Sequence, residues 1–541
     1  MAEKEESVLQ ELPLGITGFS KMRKGNFVYV DKTDLIVQML RSARYTFLAR
    51  PRRFGKSLLV STIAEIFSRG SAALTGLKGE KLWLEADTYP VVRLDFSKIA
   101  VFAKEGEFVE NFGNYLKIRL AQAGVAYPAN DQGDFYFGWG LALENSPQEV
   151  VVLIDEYDAP LTAHLHEPHL FEAARKSLAR FFLETKSVSE HIRCLFITGV
   201  MKFRQASLFS YFNNLTDVSM ELDSGALLGY TEEEILEYFT PYLERAASAL
   251  NISTSDVLSK LKSNYDGYSF DNQAAAHVYA PWSVLSFLRK PSEGFRDYWF
   301  DSSTTSSLVE NYLKLKGLLA PEEFDEDHVL ALSKLGSADH ITQINKLALL
   351  TFAGYLTIKQ VKNGNAILGY PNLEVRSALA KLYASKFWSD DAARGTLSDN
   401  FFDALEERNP QLVLIALREI IHNLNYQAFR ITSEALVQQA VQLFCMGAGR
   451  DVRIEVPSPN GRSDLELALD DTDVVFEFKC AQKTSDVSRL LKEAREQIIK
   501  RDYGVLRKGR ALLRLATVFC LETRQFEALE EVPNAFSING G

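Results

Sequence analysis

The chain has 541 residues, a formal net charge of −11, 46% hydrophobic residues and 4 cysteines. That length implies several domains, and nearly half apolar content supplies enough material for sizeable cores. The acidic balance excludes a wholesale nucleic-acid coat protein, although it leaves room for a local basic groove. Cys194, Cys445, Cys480 and Cys520 are scattered without C-x-x-C spacing, so neither a zinc site nor a disulfide framework is readable. The charged N-terminus lacks the apolar core of a signal peptide, and no apolar run approaches the roughly 20 residues of a membrane span. A soluble, cytoplasmic protein with no membrane partner is expected.

Taken in chain order, short apolar runs at 45–50, 90–96, 149–156 and 191–199 read as central strands of a parallel sheet covered on both faces. Helical patterns at 56–68, 105–123 and 168–186 lie between them, so residues 1–225 predict a doubly wound α/β domain. From 226 to 420 the chain reads mostly helical, broken by Pro281, Pro291, Pro321 and Pro371. Thr231 and Ser253 or Thr254 are the expected helix caps. Residues 421–541 form a third region. A helix (432–446) precedes strands at 451–456, 464–469 and 474–479, then a helix (486–501) and a strand (511–521). Asn460-Gly461 and Asp470-Asp471 suit hairpin connections.

The stretch "FLARPRRFGKSLL" (47–59) runs from a strand into a helix through Gly55-Lys56-Ser57. Backbone N–H groups at a helix N-terminus cradle phosphate oxygens, a lysine neutralises their charge, and a serine hydroxyl ligates Mg²⁺. Arg50 occupies the place of the usual first glycine, and a surface turn containing Gly-Lys-Ser is the plain alternative. A second signal strengthens the first: "VVVLIDEYD" ends an apolar strand with Asp155 and Glu156, suited to hold Mg²⁺ and to polarise water, respectively. Solvated acids at a strand end are the alternative. The nucleotide-contacting set is then Arg52, Arg53, Phe54, Gly55, Lys56, Ser57, Leu58, Asp155 and Thr198, with Glu156 catalytic. Thr198 is either a γ-phosphate sensor or a simple strand terminus. Arg52, Arg53, Lys202 and Arg204 are either further phosphate contacts, a finger acting on a neighbouring subunit, or surface residues.

A second constellation lies near the C-terminus. Asp464 precedes Glu477-Phe478-Lys479, and strand alternation puts Glu477 and Lys479 on one face. Asp464 and Glu477 on neighbouring strands make a hard-oxygen Mg²⁺ site, and Lys479 is positioned to assist an attacking water. An amphipathic strand with a Glu/Lys face is the alternative. Glu434 is either a supplementary metal ligand or a helix-start acid, and Gln497 either contacts phosphate or covers the sheet. From Lys479 to Arg514, eleven basic residues face four acidic ones, a local excess of +7 that suits a polyanion or a solvated helix face.

The ordered stretches "YVDKT" (29–33), "RPRRFGKS" (50–57), "LIDEYDAPL" (153–161), "ITGVMKF" (197–203), "NNLTDVS" (213–219), "YDGYSF" (265–270) and "GYPNLEVR" (369–376), followed by "GRSDLELAL" and "VFEFK", span nearly the whole chain. In this order they resemble bacterial AAA-ATPase-like proteins with a C-terminal PD-(D/E)xK nuclease-superfamily domain. In that family Arg50 is the norm. The resemblance implies a P-loop ATPase domain, a helical lid or coupling region and a restriction-endonuclease-like α/β domain. It also implies Asp31 and Lys32 near the nucleotide base, while Met201 departs from the small polar residue usual after "ITGV". The expected cofactors are ATP and Mg²⁺. The expected partner is nucleic acid, DNA foremost, with a homo-oligomer or protein partner through the helical middle. The expected function is an ATP-linked Mg²⁺-dependent nuclease in DNA processing or defence against foreign DNA. The alternatives are a signalling or scaffold NTPase that binds nucleic acid or a partner without cutting, and an interaction protein with both sites vestigial.

Overall fold

The structure is a computed structural model and describes residues 9–202, 214–298, 326–335, 345–388, 390–450, 452–458, 461–469, 471–504 and 509–533. Arg204, Pro321, Asn460, Asp470, Arg507 and Lys508 lie outside the described residues. Two compact units result, one of Met1–Gly317 with Asp327–Val375 and one of Leu318–Glu326 with Arg376–Gly541.

The first unit is built on five strands, β1 (Tyr45–Ala49), β2 (Val91–Asp95), β3 (Val150–Asp155), β4 (Ile192–Gly199) and β5 (Thr216–Asp217). Their order is β2-β3-β4-β1-β5, and every pairing is parallel. All six residues of β3 are buried, as an all-apolar run covered on both faces must be. Helices Glu105–Gln122, Phe135–Glu144 and Pro168–Ser187 supply Phe112, Trp139 and Phe181 to one core with Val152 and Ile154. Consecutive strands reached through helices leave the carboxyl ends of β1, β3 and β4 together at one edge of the sheet, where ligands of such folds bind.

Helices Glu232–Leu250, Thr254–Tyr265 and Pro281–Arg289 pack around Phe239, Leu261 and Phe287. Thr231 closes a reciprocal capping box with Glu234, and Ser253 caps the next helix. This mostly helical middle also holds a small antiparallel sheet, β6 (His328–Ala331), β7 (Thr357–Lys362) and β8 (Asn365–Gly369), in the order β6-β8-β7. No sequence reading anticipated that sheet, because its strands are short and half-polar.

The second unit carries β9 (Val452–Ser458), β10 (Gly461–Ala468), β11 (Thr472–Ala481), β12 (Ala511–Cys520) and β13 (Gln525–Glu531), in the order β13-β12-β11-β10-β9. β11 pairs parallel with β12, and the other three pairings are antiparallel. Helix Val487–Arg501 makes the crossover from β11 to β12 and buries Ala494 and Ile498 against Val475 and Ala516. β13 is the strand that pattern reading missed. Its sequence, "QFEALEE", is too acidic to read as a strand until β12 offers it an edge.

Candidate functional site

The phosphate loop leaves β1 at Ala49 and enters the helix Lys56–Arg69 through Gly55, whose φ of 95° only glycine adopts freely. Arg50 is 1% exposed. Its guanidinium donates to the carbonyls of Ala49, Ser219 and Ser224 and lies 4.6 Å from the Phe270 ring centroid. Arg50 therefore ties the loop's base to the chain beyond β5 rather than reaching a phosphate. Phe54, also 1% exposed, meets Tyr268 and Phe270 edge-on. The "YDGYSF" stretch is thus the floor on which the loop sits. Gly267 in turn lies directly against the Pro371 carbonyl, and the Asn372 side chain donates to Asp266.

The Lys56 ammonium donates to the carbonyls of Arg50 and Pro51 (3.0 and 2.9 Å), and the Ser57 hydroxyl donates to Asp155 at 2.6 Å. Burial pushes the carboxyls of Asp155 and Glu156 up from their ordinary values and pulls Lys56 down. A buried lysine, a serine hydroxyl and two carboxyls short of positive charge fit a phosphate with its cation. Glu156 has a φ of 49°, a left-handed conformation that is costly away from glycine.

Arg52, Arg53, Gly55, Lys56, Ser57, Leu58 and Glu156 line a cavity of about 450 Å³. Its other wall is apolar, from Ile16 in the N-terminal segment and Tyr230, Trp282 and Leu285 in the helical region. Arg53 stacks 4.1 Å from the Trp282 ring and donates to the Tyr298 carbonyl at 3.2 Å. Polar at the loop and aromatic opposite, the cavity is shaped for a nucleotide, phosphates at one end and base at the other. Sequence reasoning missed Ile16, Tyr230, Trp282 and Leu285, since no spacing links residues so distant in the chain.

Other expected residues stand elsewhere. Thr198 is fully buried and donates to the Leu48 carbonyl, holding β4 to β1. Asp31 accepts from Thr33 and from the Lys78 backbone, and Lys32 pairs with Glu234 at 2.7 Å. Neither Asp31 nor Lys32 lines the cavity. Lys202 pairs with Asp217 at 2.7 Å, and Met201 is buried, its backbone N–H held by Asp158.

In the second unit, the β10–β11 register that pairs Leu465 with Phe476 brings Asp464 abreast of Glu477. Asp464 accepts from the Phe478 backbone N–H at 2.7 Å. Glu477 is fully buried. One of its oxygens takes the Lys479 ammonium at 3.0 Å, and the other has no hydrogen-bond partner. Lys479 also reaches Glu434 at 3.2 Å and the Phe478 carbonyl at 2.9 Å. Burial, reinforced by mutual repulsion, raises the Glu477 carboxyl to about 7, and burial raises Asp464 to about 6. Lys479 is held above its usual value despite burial, by Glu477 and then Glu434.

A buried carboxylate oxygen without a partner, beside a second carboxylate, fits a divalent cation. Among the described residues no three His, Cys, Asp or Glu side chains converge as a metal cage. A cation here would rest on two carboxylates and complete its shell with water or substrate oxygens, leaving Glu434 to hold Lys479. Gln497 donates to the Tyr503 hydroxyl, which Arg501 also contacts.

Two family models match the chain. Residues 13–209 match "Predicted AAA-ATPase", and residues 432–528 match "PD-(D/E)XK nuclease superfamily". The chain joins an AAA-ATPase-like domain to a PD-(D/E)XK nuclease-superfamily domain. A protein of Azotobacter chroococcum mcd 1, described as an uncharacterized protein in the vnfD 5′ region, is 29% identical over 486 residues. The alignment covers 88% of this chain and 90% of that one. The Aeropyrum pernix ORC1 protein, solved in complex with DNA, aligns over 65% of this chain and 93% of its own. At 9% identity and a TM-score of 0.27 the likeness carries no weight. The AAA-ATPase-like match holds the phosphate loop, Asp155 and Glu156, while Tyr230, Trp282 and Leu285 lie beyond it. The nuclease-superfamily match holds Glu434, Asp464, Glu477 and Lys479.

Only part of the basic excess of residues 479–514 is offset by acids outside that stretch, through Lys479 with Glu477 and Glu434, Arg495 with Glu530 and Arg510 with Asp473. Arg489, Lys492, Arg495, Arg510 and Arg514 each pair with a carboxylate. Lys483, Lys500 and Arg501 form no ion pair within 4.0 Å among the described residues. No helix among the described residues is long and apolar enough to cross a membrane.

Proposed function

We propose that the protein is an ATP-binding, ATP-hydrolysing nuclease that cuts nucleic-acid phosphodiesters with Mg²⁺, DNA foremost. The observation that carries this reading is the fully buried Glu477, one oxygen on Lys479 and the other unpartnered, abreast of Asp464. Asp464 and Glu477 would hold Mg²⁺, which when bound supplies positive charge to the phosphodiester and acidifies water. Glu477 and Glu434 keep the Lys479 ammonium charged and fixed beside the reacting phosphorus, where charge builds as water adds and the P–O ester bond breaks. In the first unit, Gly55, Lys56 and Ser57 would bind the phosphates of ATP, Asp155 would hold its Mg²⁺, and Glu156 would orient the attacking water. DNA processing or defence against foreign DNA is the setting in which such a pairing works.

The test is cleavage of plasmid and single-stranded DNA with Mg²⁺, with and without ATP, by the wild type, Lys479→Ala and Lys56→Ala. Lys479→Ala is expected to lower cleavage by about 10²–10³-fold. Lys56→Ala is expected to abolish ATP hydrolysis. Absence of cleavage by any preparation on any nucleic acid sinks the nuclease reading, and DNA binding without cleavage would favour a scaffold NTPase.

A further inference from the structure

Beside the carboxylate site, a cavity of about 780 Å³ opens between helix Glu434–Gly447 and β9. Gln438, Gln439 and Gln442 line it from the helix, 7%, 7% and 0% exposed, and Ile454 lines it from β9. Gln438 donates its side-chain amide to the Asp464 backbone carbonyl, so that residue anchors the wall to the site. Gln439 is more than nine-tenths buried as a residue, yet its amide atoms stay accessible at the cavity wall and bond to no described residue. An amide held at a cavity wall with its donors and acceptor uncommitted offers them to a guest in place of water.

The charge of the cavity's rim says what kind of guest. Arg376, Arg453, Glu326 and Glu455 all line the cavity, two cations with two anions, and Arg453 is already paired with Glu466. A phosphate would gain little from that balance. A neutral planar group with donors and acceptors on its edge, and apolar faces for Ile454, satisfies the walls. A nucleobase has that chemistry, and a glutamine amide pairs with base edges in two hydrogen bonds.

Position ties the guest to the cut. Glu434 lies one helical turn before Gln438, a rise of about 6 Å, and contacts Lys479 at 3.2 Å. Glu455 faces Asp464 where the β9–β10 pairing skips, between Leu465–Ile454 and Ser463–Val456, and its φ of 48° marks a local distortion of the strand. The cavity thus starts within about one nucleotide of the carboxylates. A base in a duplex is stacked on its neighbours with its Watson–Crick edge committed, so only an unpaired or extruded base can enter a cavity.

We propose that this cavity receives an unpaired nucleobase next to the cut phosphodiester, making single-stranded nucleic acid the substrate class. The inference rests on the nuclease reading of the neighbouring carboxylates.

The experiment uses the full chain with Ca²⁺ in place of Mg²⁺, and reads the fluorescence anisotropy of labelled oligonucleotides as DNA and RNA strands of one sequence. Single strands are expected to bind about tenfold more tightly than the matching duplex. One abasic substitution, walked along the strand, is expected to lower affinity about tenfold at one position. Gln439→Leu is expected to give the same loss on the intact strand and to erase the abasic effect. The abasic walk alters only the nucleic acid, so a misfolded variant cannot imitate it. Binding indifferent to every abasic position, or a base dependence untouched by Gln439→Leu, overturns the proposal. Mg²⁺-dependent cleavage is measured in parallel. Base dependence without cleavage would remove the nuclease reading and leave the pocket, and cleavage without base dependence would do the reverse.

Discussion

Glu477 concentrates the chemistry of the second unit in one side chain. It is buried, half-satisfied by Lys479, and pushed up to about 7, with Asp464 beside it at about 6. Both lie above the ordinary carboxyl range of about 4. In metal-free protein these carboxyls therefore bind more protons folded than unfolded. Their contribution to stability is full below about pH 4 and is lost as pH rises through about 6 and 7. Calorimetry in a chelator should show the melting temperature of this unit falling across that window, less so in Glu477→Gln. Mg²⁺ should restore it at pH 8 and not at pH 5, because protons then compete for the same oxygens. A melting temperature indifferent to Mg²⁺ at pH 8 would count against a cation on Asp464 and Glu477. The triplet itself was legible in the sequence, since alternation alone puts Glu477 and Lys479 on one face. The engagement of Glu434 by Lys479 was not, because it needs a helix N-terminus brought to a strand end.

At the scale of elements, the phosphate loop shows a limit of motif reading. Gly55-Lys56-Ser57 announced a strand-to-helix turn, and the helix Lys56–Arg69 follows it. Nothing in "RPRRF" distinguished its arginines. Arg50 is a buried tie to Ser219 and Ser224, Arg52 lines the cavity, and Arg53 stacks on Trp282. Those partners are far along the chain, so spacing carries no trace of them. The bracket beneath the loop is testable at Gly267. Its φ is 91°, and a methyl group there would strike the Pro371 carbonyl. The left-handed backbone and the overpacking together put the cost of Gly267→Ala at about 2–5 kcal/mol. Urea unfolding should report it, accompanied by weaker nucleotide binding, because Tyr268 and Phe270 support Phe54 and Arg50. Unchanged stability would refute the bracket.

For the whole molecule, the two candidate sites belong to separate compact units. Ligands that bind only the folded state raise its stability by RT ln(1 + L/Kd), which grows with the free-ligand concentration L. ATP with Mg²⁺ should therefore stabilise the first unit in the wild type and Glu477→Gln, and not in Lys56→Ala. Mg²⁺ alone should stabilise the second unit in Lys56→Ala and not in Glu477→Gln. Calorimetric traces that lose both effects with either variant would mean that the sites do not act as separate entities. The sequence by itself determined the α/β character of both sheets, because continuous apolar runs between amphipathic helices have few other ways to be buried. It also picked out the short motifs proposed to hold phosphate and cation, since those depend on neighbours within one turn or one strand. Only the tertiary structure decided the aromatic wall of the cavity at the Gly55-Lys56-Ser57 loop, the short β6–β8 sheet and the glutamine-lined pocket. Each joins residues that are distant in the chain, and a residue's neighbours in space leave no periodicity in its neighbours in sequence.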